Sequence, residues 1–248
     1  MEIIGGLIAG GFIGAVLGFI GAGGAMLTVP ILLYIFNFTP QAATTAAIAV
    51  VLSAAISGLL PKIKSKEVLF KEAGIIWALG LVTNIGFSII AHRLSDSVIT
   101  TGFALVLLSA GTAMLIKPVA GTEKKIPIIW LVVMSLVIGS MTGLFGIGGG
   151  FLAIPVLVLF FKVPQGKAAG TSLAIIAINS ITAFFDHYQN WSEVTWTVPI
   201  AMSIGAVIVA RFASIKSGQM NATILRKSFA FLLYSIAVFT LLETWVIA

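Results

Sequence analysis

Two glycine clusters stand out as the residues able to do chemistry: Gly21, Gly23 and Gly24, and Gly146, Gly148 and Gly149. Each cluster lies in an uncharged break, Gly21-Ala-Gly-Gly24 or Gly146-Ile-Gly-Gly-Gly150, between two apolar runs. A helix that starts after such a break opens with unpaired N–H groups and the positive end of its dipole. The stretches Gly24–Leu27 and Gly149–Leu152 are therefore suited to hold an anion. Glycine lets the anion approach the backbone closely. Other small residues point to packing instead. Gly6, Gly10, Gly14 and Gly18 recur every four residues, as do Ser135, Gly139 and Gly143, and such faces serve helix contacts.

Hydroxyl and amide groups could complete an anion site. Thr44, Thr45 and Ser53 fall in the apolar run after the first cluster, and Thr171, Ser172, Asn179 and Ser180 in the run after the second. Hydroxyls in helices also bond their own backbone. Asn84 reads equally as a ligand or as interhelical glue. Arg211 could gather anions at a mouth, although snorkelling to an interface is the preferred reading. Asp96, Asp186, His92, His187, Glu72 and Glu243 lie near run ends and read as interfacial or capping residues. No H-E-x-x-H or G-x-S-x-G occurs, so no enzyme is expected. With no cysteine and no cluster of carboxylates, neither a metal nor another cofactor is expected.

The elements that position these residues follow from composition. Of 248 residues 59% are apolar and 9% charged, with a mean hydropathy of +1.16. A soluble domain carries about 25% charge, so a soluble globule and a nucleic-acid-binding protein are excluded and membrane lipid is the expected surroundings. Apolar segments run roughly over 3–20, 25–37, 41–60, 73–91, 97–116, 126–145, 150–161, 168–186, 194–215 and 228–247. An unbroken helix over 3–37 would be about 50 Å long, against a hydrocarbon core of about 30 Å. The chain must therefore break at the glycines. Residues 1–25 resemble a signal peptide only superficially, since Glu2 replaces the basic leader; a retained segment is expected.

The chain repeats itself. Shifted by 125 residues, Gly14, Gly18, Gly21, Gly23, Gly24, Leu27 and Pro30 fall on Gly139, Gly143, Gly146, Gly148, Gly149, Leu152 and Pro155. A shift of 126 pairs Thr45 with Thr171 and Glu67-Val68 with Glu193-Val194. Two transmembrane repeats are expected, 1–120 and 121–248, joined by a polar linker at 117–125. Duplicated halves point to transporters with a site between the halves. If each glycine break is a kink inside one span, the basic residues divide seven against seven. If each is a hairpin that returns to its side of entry, thirteen of the 14 share one side and Arg93 stands alone. The positive-inside rule favours the hairpins. The expected fold is all-α and polytopic: two inverted repeats, each a Gly-tipped hairpin plus three spanning helices, with both termini outside.

The two copies of G-x-x-x-G-x-x-G-x-G-G-x-x-L-x-x-P, at 14–30 and 139–155, together with Lys167-Ala-Ala-Gly-Thr-Ser-Leu and Asn179-Ser180, resemble the TauE/SafE family of sulfite exporters, also called the toluenesulfonate uptake permease family. The first half departs from the pattern at Ala42-Ala-Thr-Thr-Ala-Ala-Ile. The resemblance implies a bacterial or archaeal plasma-membrane transporter of sulfur oxyanions or organosulfur anions. Alternating access about the paired glycine tips is the expected mechanism; a passive anion channel, or a carrier of another small anion, is the alternative. The expected substrate ligands are Gly21, Gly23, Gly24, Gly146, Gly148, Gly149, Thr45, Thr171, Ser172, Asn179, Asn84 and Arg211. The glycine ladders could serve contacts within one chain or between two, so a homodimer is open.

Overall fold

The computed structural model describes residues 2–91, 93–116, 127–145 and 150–247. The linker 117–125, His92 and the second glycine cluster, Gly146, Gly148 and Gly149, lie outside the described residues. Ten α-helices follow in order: α1 Glu2–Ile20, α2 Gly24–Pro30, α3 Pro40–Lys64, α4 Phe70–Ala91, α5 Asp96–Ile116, α6 Ile128–Phe145, α7 Gly150–Leu159, α8 Gln165–Asp186, α9 Thr197–Ser217 and α10 Ala222–Leu242. Among the described residues there is no strand, and eight helices are long and apolar enough to cross a membrane. The two short helices that begin at Gly24 and Gly150 are not among the eight.

The first glycine break is a hairpin. The Gly21 N–H donates to the Leu17 carbonyl at 2.8 Å and closes α1; Leu27 N–H donates to Gly23 O at 3.2 Å and opens α2. Between them Gly21 and Gly23 take φ of 81° and 88°, the left-handed region that a side chain resists. The chain then runs back along α1 until the Phe36 ring lies over Gly5. Pro30 has no N–H to give, and the helix loosens after it into a π-turn at Ile31–Ile35. Asn37, at φ 54°, and the bond from Phe38 N–H to Leu32 O at 3.0 Å end the arm. The same turn recurs 125 residues on: Lys162 has φ 55°, and Val163 N–H donates to Leu157 O at 3.0 Å. Gly150 packs on Ile176 and bonds Ser172, while the other end of α7 leads directly into α8. So α7 runs antiparallel to α8.

Helix pairing is reciprocal. The ladder Gly6, Gly10, Gly14 and Gly18 of α1 faces Val198, Met202, Ala206 and Ala210 of α9, rising together, so α1 and α9 are parallel. In the same sense Gly139 and Gly143 of α6 face Gly80 and Asn84 of α4, and Thr83 donates across to Leu136 O at 3.0 Å. A Cβ on Gly10, Gly14 or Gly18 would collide with α9 backbone, so both ladders serve contacts inside this chain. Helices α3 and α8 cross antiparallel: Thr45 meets His187 near one end, and Gly170 meets Lys62 and Glu67 near the other. Helices α5 and α10 are also antiparallel, tied by Thr112–Tyr234 at 2.6 Å and Trp245–Thr101 at 3.1 Å.

Several boundaries differ from expectation. Helix α3 runs to Lys64 and α10 starts at Ala222, four and six residues beyond the apolar runs. The cause is local. Lys62 and Lys64 sit in the last turn of α3, where the dipole favours cations. Asn221 caps α10 by accepting from Thr223 N–H at 2.8 Å. Following the helix directions, Lys62, Lys64, Lys66, Lys71, Lys162, Lys167, Arg211, Lys216, Arg226 and Lys227 fall toward one end of the bundle and Arg93 toward the other.

The ladder carries a prediction. Gly14→Ala should lower the thermal stability of the detergent-solubilised protein by about 1–3 kcal/mol, the usual cost of overpacking. Gly74→Ala should be neutral or slightly stabilising, because nothing lies within 4 Å of the added methyl. Differential scanning fluorimetry on both variants checks the contrast.

Candidate functional site

A cavity of about 40 Å³ opens beside the first glycine tip. Gly23, Gly24, Ala25 and Met26 form one wall, Val51 of α3 and Phe151 of α7 two more, and Ile176, Asn179 and Ser180 of α8 the rest. The start of α2 and the start of α7 thus border one space. The second start is held there by the Ser172 hydroxyl, which donates to Gly150 O at 2.6 Å. Thr28 donates to Gly24 O at 2.7 Å and fixes the first turn of α2.

The glycines fit this position for separate reasons. A Cβ on Gly21 would strike the Ala169 backbone of α8, and one on Gly24 would lie 2.8 Å from Leu17. Gly23 faces the cavity and keeps its left-handed φ. Gly21 therefore seats the tip on α8, and Gly23 and Gly24 line the space.

A smaller cavity of about 20 Å³ lies between α4, α6 and α8. Trp77, Gly80 and Asn84 line it from α4, Gly139 and Thr142 from α6, and Ile175 and Asn179 from α8. Asn179 borders both cavities. The Trp77 Nε1–H is buried without a hydrogen-bond partner among the described residues, a deficit of about 1–3 kcal/mol. The Thr142 hydroxyl donates to Ile138 O at 2.7 Å and is occupied.

Of the residues singled out from sequence, Gly23, Gly24, Asn179 and Ser180 meet at the first cavity, and Asn84 joins Asn179 at the second. Ser172 is buried and supports α7. Thr45 and Thr171 lie elsewhere, as fasteners between the halves. Thr45 donates to Gln41 O at 2.9 Å and meets His187 Nδ1 at 3.2 Å. Thr171 donates to Lys167 O at 2.7 Å and accepts Leu69 N–H at 3.1 Å. These two positions, 126 apart, act at opposite ends of the bundle. Arg211 is exposed on α9 and borders neither cavity. Met26 and Phe151 fall within the singled-out stretches Gly24–Leu27 and Gly149–Leu152; sequence reasoning missed Val51 and Trp77. Only Trp77 carried a signal, its spacing of three and seven residues from Gly80 and Asn84, which puts all three on one helix face.

Near the basic end, Lys62 is 1% exposed and pairs with Glu67 at 2.7 Å. The Glu67 carboxylate sits against Gly166 and its carbonyl against Gly170, where a Cβ would collide. Beside them Gln165 is buried with neither side-chain amide atom bonded among the described residues. At the other end Gln41 donates to Asn190 at 3.0 Å. Among the described residues no group of three or more His, Cys, Asp or Glu could hold a metal.

An all-α polytopic bundle, with uncharged cavities between its halves and a helix break buried at one of them, is the build of a membrane transporter. The match to known proteins is at the same level. The family model described as "Sulfite exporter TauE/SafE" covers residues 6–240, and the chain belongs to that family. It is 27% identical over 248 residues to a "Probable membrane transporter protein" of Xylella fastidiosa, covering 96% of this chain and 94% of that one. It is 28% identical over 250 residues to the "Probable membrane transporter protein YunE" of Bacillus subtilis, covering 90% and 86%.

The Ser172 contact can be tested. Ser172→Ala leaves the buried Gly150 carbonyl one donor short, an expected cost of about 1–3 kcal/mol. Ser53→Ala should cost under about 0.5 kcal/mol, because that hydroxyl bonds only the Val50 carbonyl of its own helix. Thermal unfolding of both variants in one detergent gives the comparison.

Proposed function

We propose that this protein is a secondary transporter of small sulfur-containing anions, sulfite or sulfonates, and that the substrate binds between the two glycine hairpin tips. The carrying observation is the first cavity, which joins Gly23 and Gly24 to Phe151 and Asn179. Its polar wall consists of backbone and uncharged side chains, so it offers partial positive charge without a buried cation. Such a site can hold a dehydrated anion and still release it. Gly146, Gly148 and Gly149 are proposed as substrate ligands from the second half. The family name supports the substrate class.

The mechanism we propose is alternating access between two inverted repeats. The antiparallel crossing of α3 with α8 and of α5 with α10, each pair corresponding under the 125–126 shift, supports this relation. Each end of the bundle has its own seal. Thr171–Leu69 and the packing of Glu67 on Gly166 and Gly170 close the basic end, and Thr45–His187 and Gln41–Asn190 the other. A carrier must break one set while keeping the other. The unbonded amide of Gln165 beside the basic seal suits a contact that is remade when that mouth opens. We propose, by the positive-inside rule, that the basic end faces the cytoplasm of a bacterial or archaeal plasma membrane and both termini lie outside.

Two experiments test this. Purified protein in liposomes should exchange internal for external sulfite or methanesulfonate with saturation, and Gly23→Val should lower the rate at least tenfold at equal reconstitution. Ion conductance through single molecules would make the protein a channel instead, and no flux of any sulfur anion would sink the reading. The chain has no cysteine, so an introduced thiol is unique. Arg93→Cys should react with impermeant maleimide on intact cells and Gln219→Cys only after permeabilisation; the reverse pattern would invert the topology.

A further inference from the structure

We infer that the cavity between α4, α6 and α8 is a second oxyanion station, at which the Trp77 indole N–H and the Asn84 amide do the work that glycine backbone does at the first. The inference rests on the transport reading above and extends it to a path with two stops.

The donors point to the class of ligand. An indole N–H can only donate, and that of Trp77 is buried with no acceptor among the described residues. The neighbouring hydroxyls are engaged as donors: Thr142 and Thr83 turn their protons to the Ile138 and Leu136 carbonyls. Trp77 lines this cavity together with Asn84 and Asn179, whose side-chain amides can also donate. An apolar group would leave these donors unmatched. An oxygen of a sulfonate or sulfite, which only accepts, matches them. At about 20 Å³ the space takes a water-sized group, which suits one such oxygen and not an organic tail.

Position gives the order of events. Asn179 borders the first cavity and this one, so an anion that leaves the glycine tip meets its amide before it meets Trp77. Gly80 and Gly139 keep α4 and α6 close enough for Asn84 to face the same space. A Cβ on Gly139 would collide with Gly80 and Thr83. The donors are neutral, so neither station traps the anion, and the shared Asn179 hands it from one to the other.

The test removes only the donor. Trp77→Phe keeps a ring in place, and in liposomes it should raise the KM for methanesulfonate about tenfold, the usual effect of losing one hydrogen bond to a charged group, with Vmax changed less than twofold. Trp77→Tyr, which retains a donor, should recover part of the loss. In detergent, methanesulfonate should shift the wild-type tryptophan emission relative to chloride at equal ionic strength, and Trp77→Phe should lose that shift. An unchanged KM in Trp77→Phe, with normal wild-type flux, overturns the second station and leaves the transport reading intact. Absence of wild-type flux for any sulfur anion overturns both. Should Trp77→Phe fail to fold, the wild-type emission decides alone: a response no larger than that to chloride overturns the station.

Discussion

Everything in this molecule depends on one constraint. Backbone N–H and C=O groups inside hydrocarbon must find partners within the protein. A helix broken within the membrane is allowed only if other helices enclose the break. Here the first tip is sealed by Ala169 on one side and Leu17 on the other, with Ala22 fully buried between Gly21 and Gly23. That enclosure requires α8 to lie against the tip. In turn α8 crosses α3, and α3 and α1 pack on α9. The bundle is organised around the need to hide a break.

The same constraint explains why small residues dominate the contacts. Lipid is as apolar as leucine, so helices gain little by burying large side chains against each other, and close backbone approach must hold them instead. Met202, Ala206 and Ala210 meet the α1 ladder through their backbone, and Gly80 meets Gly139. Polar ties add to this packing: Thr83 reaches Leu136 O and Ser57 reaches Val207 O along the packed faces, while Thr171–Leu69 at the basic end and Thr45–His187 and Gln41–Asn190 at the other join the two halves. Close backbone contact and hydrogen bonds together hold the halves. The centre is built of glycine and cannot deform without collision. The ends rest on a few hydrogen bonds, each worth about 1 kcal/mol.

Threonines 45 and 171 show how a residue can be found for one reason and used for another. Their pairing under the 126-residue shift was visible, and their hydroxyls suggested anion ligands. In the fold each hydroxyl fastens its helix to the loop that follows the corresponding helix of the other half. A hydroxyl's partner is fixed by what stands opposite it, and the repeat in the chain specifies positions but no neighbours. Trp77 is the converse case. Nothing in its identity marked it, yet packing leaves its N–H without an acceptor beside Asn84 and Asn179.

The sequence alone determined that the chain lives in lipid, where it breaks, and that the breaks come in a matched pair. Hydropathy, glycine spacing and a 125-residue shift are local or periodic quantities, and they survive without coordinates. The division of lysines and arginines even favoured hairpins over kinks, since only hairpins gather the basic residues on one side. Tertiary structure alone decided which polar groups face a cavity and which serve as fasteners. That choice depends on which helix lies opposite, and helix partners here are set by backbone-to-backbone fit between segments as distant as Gly14 and Ala206. In a chain with so few charges, such fit leaves no mark in composition, and only folding brings Gly23, Phe151 and Asn179 to one place.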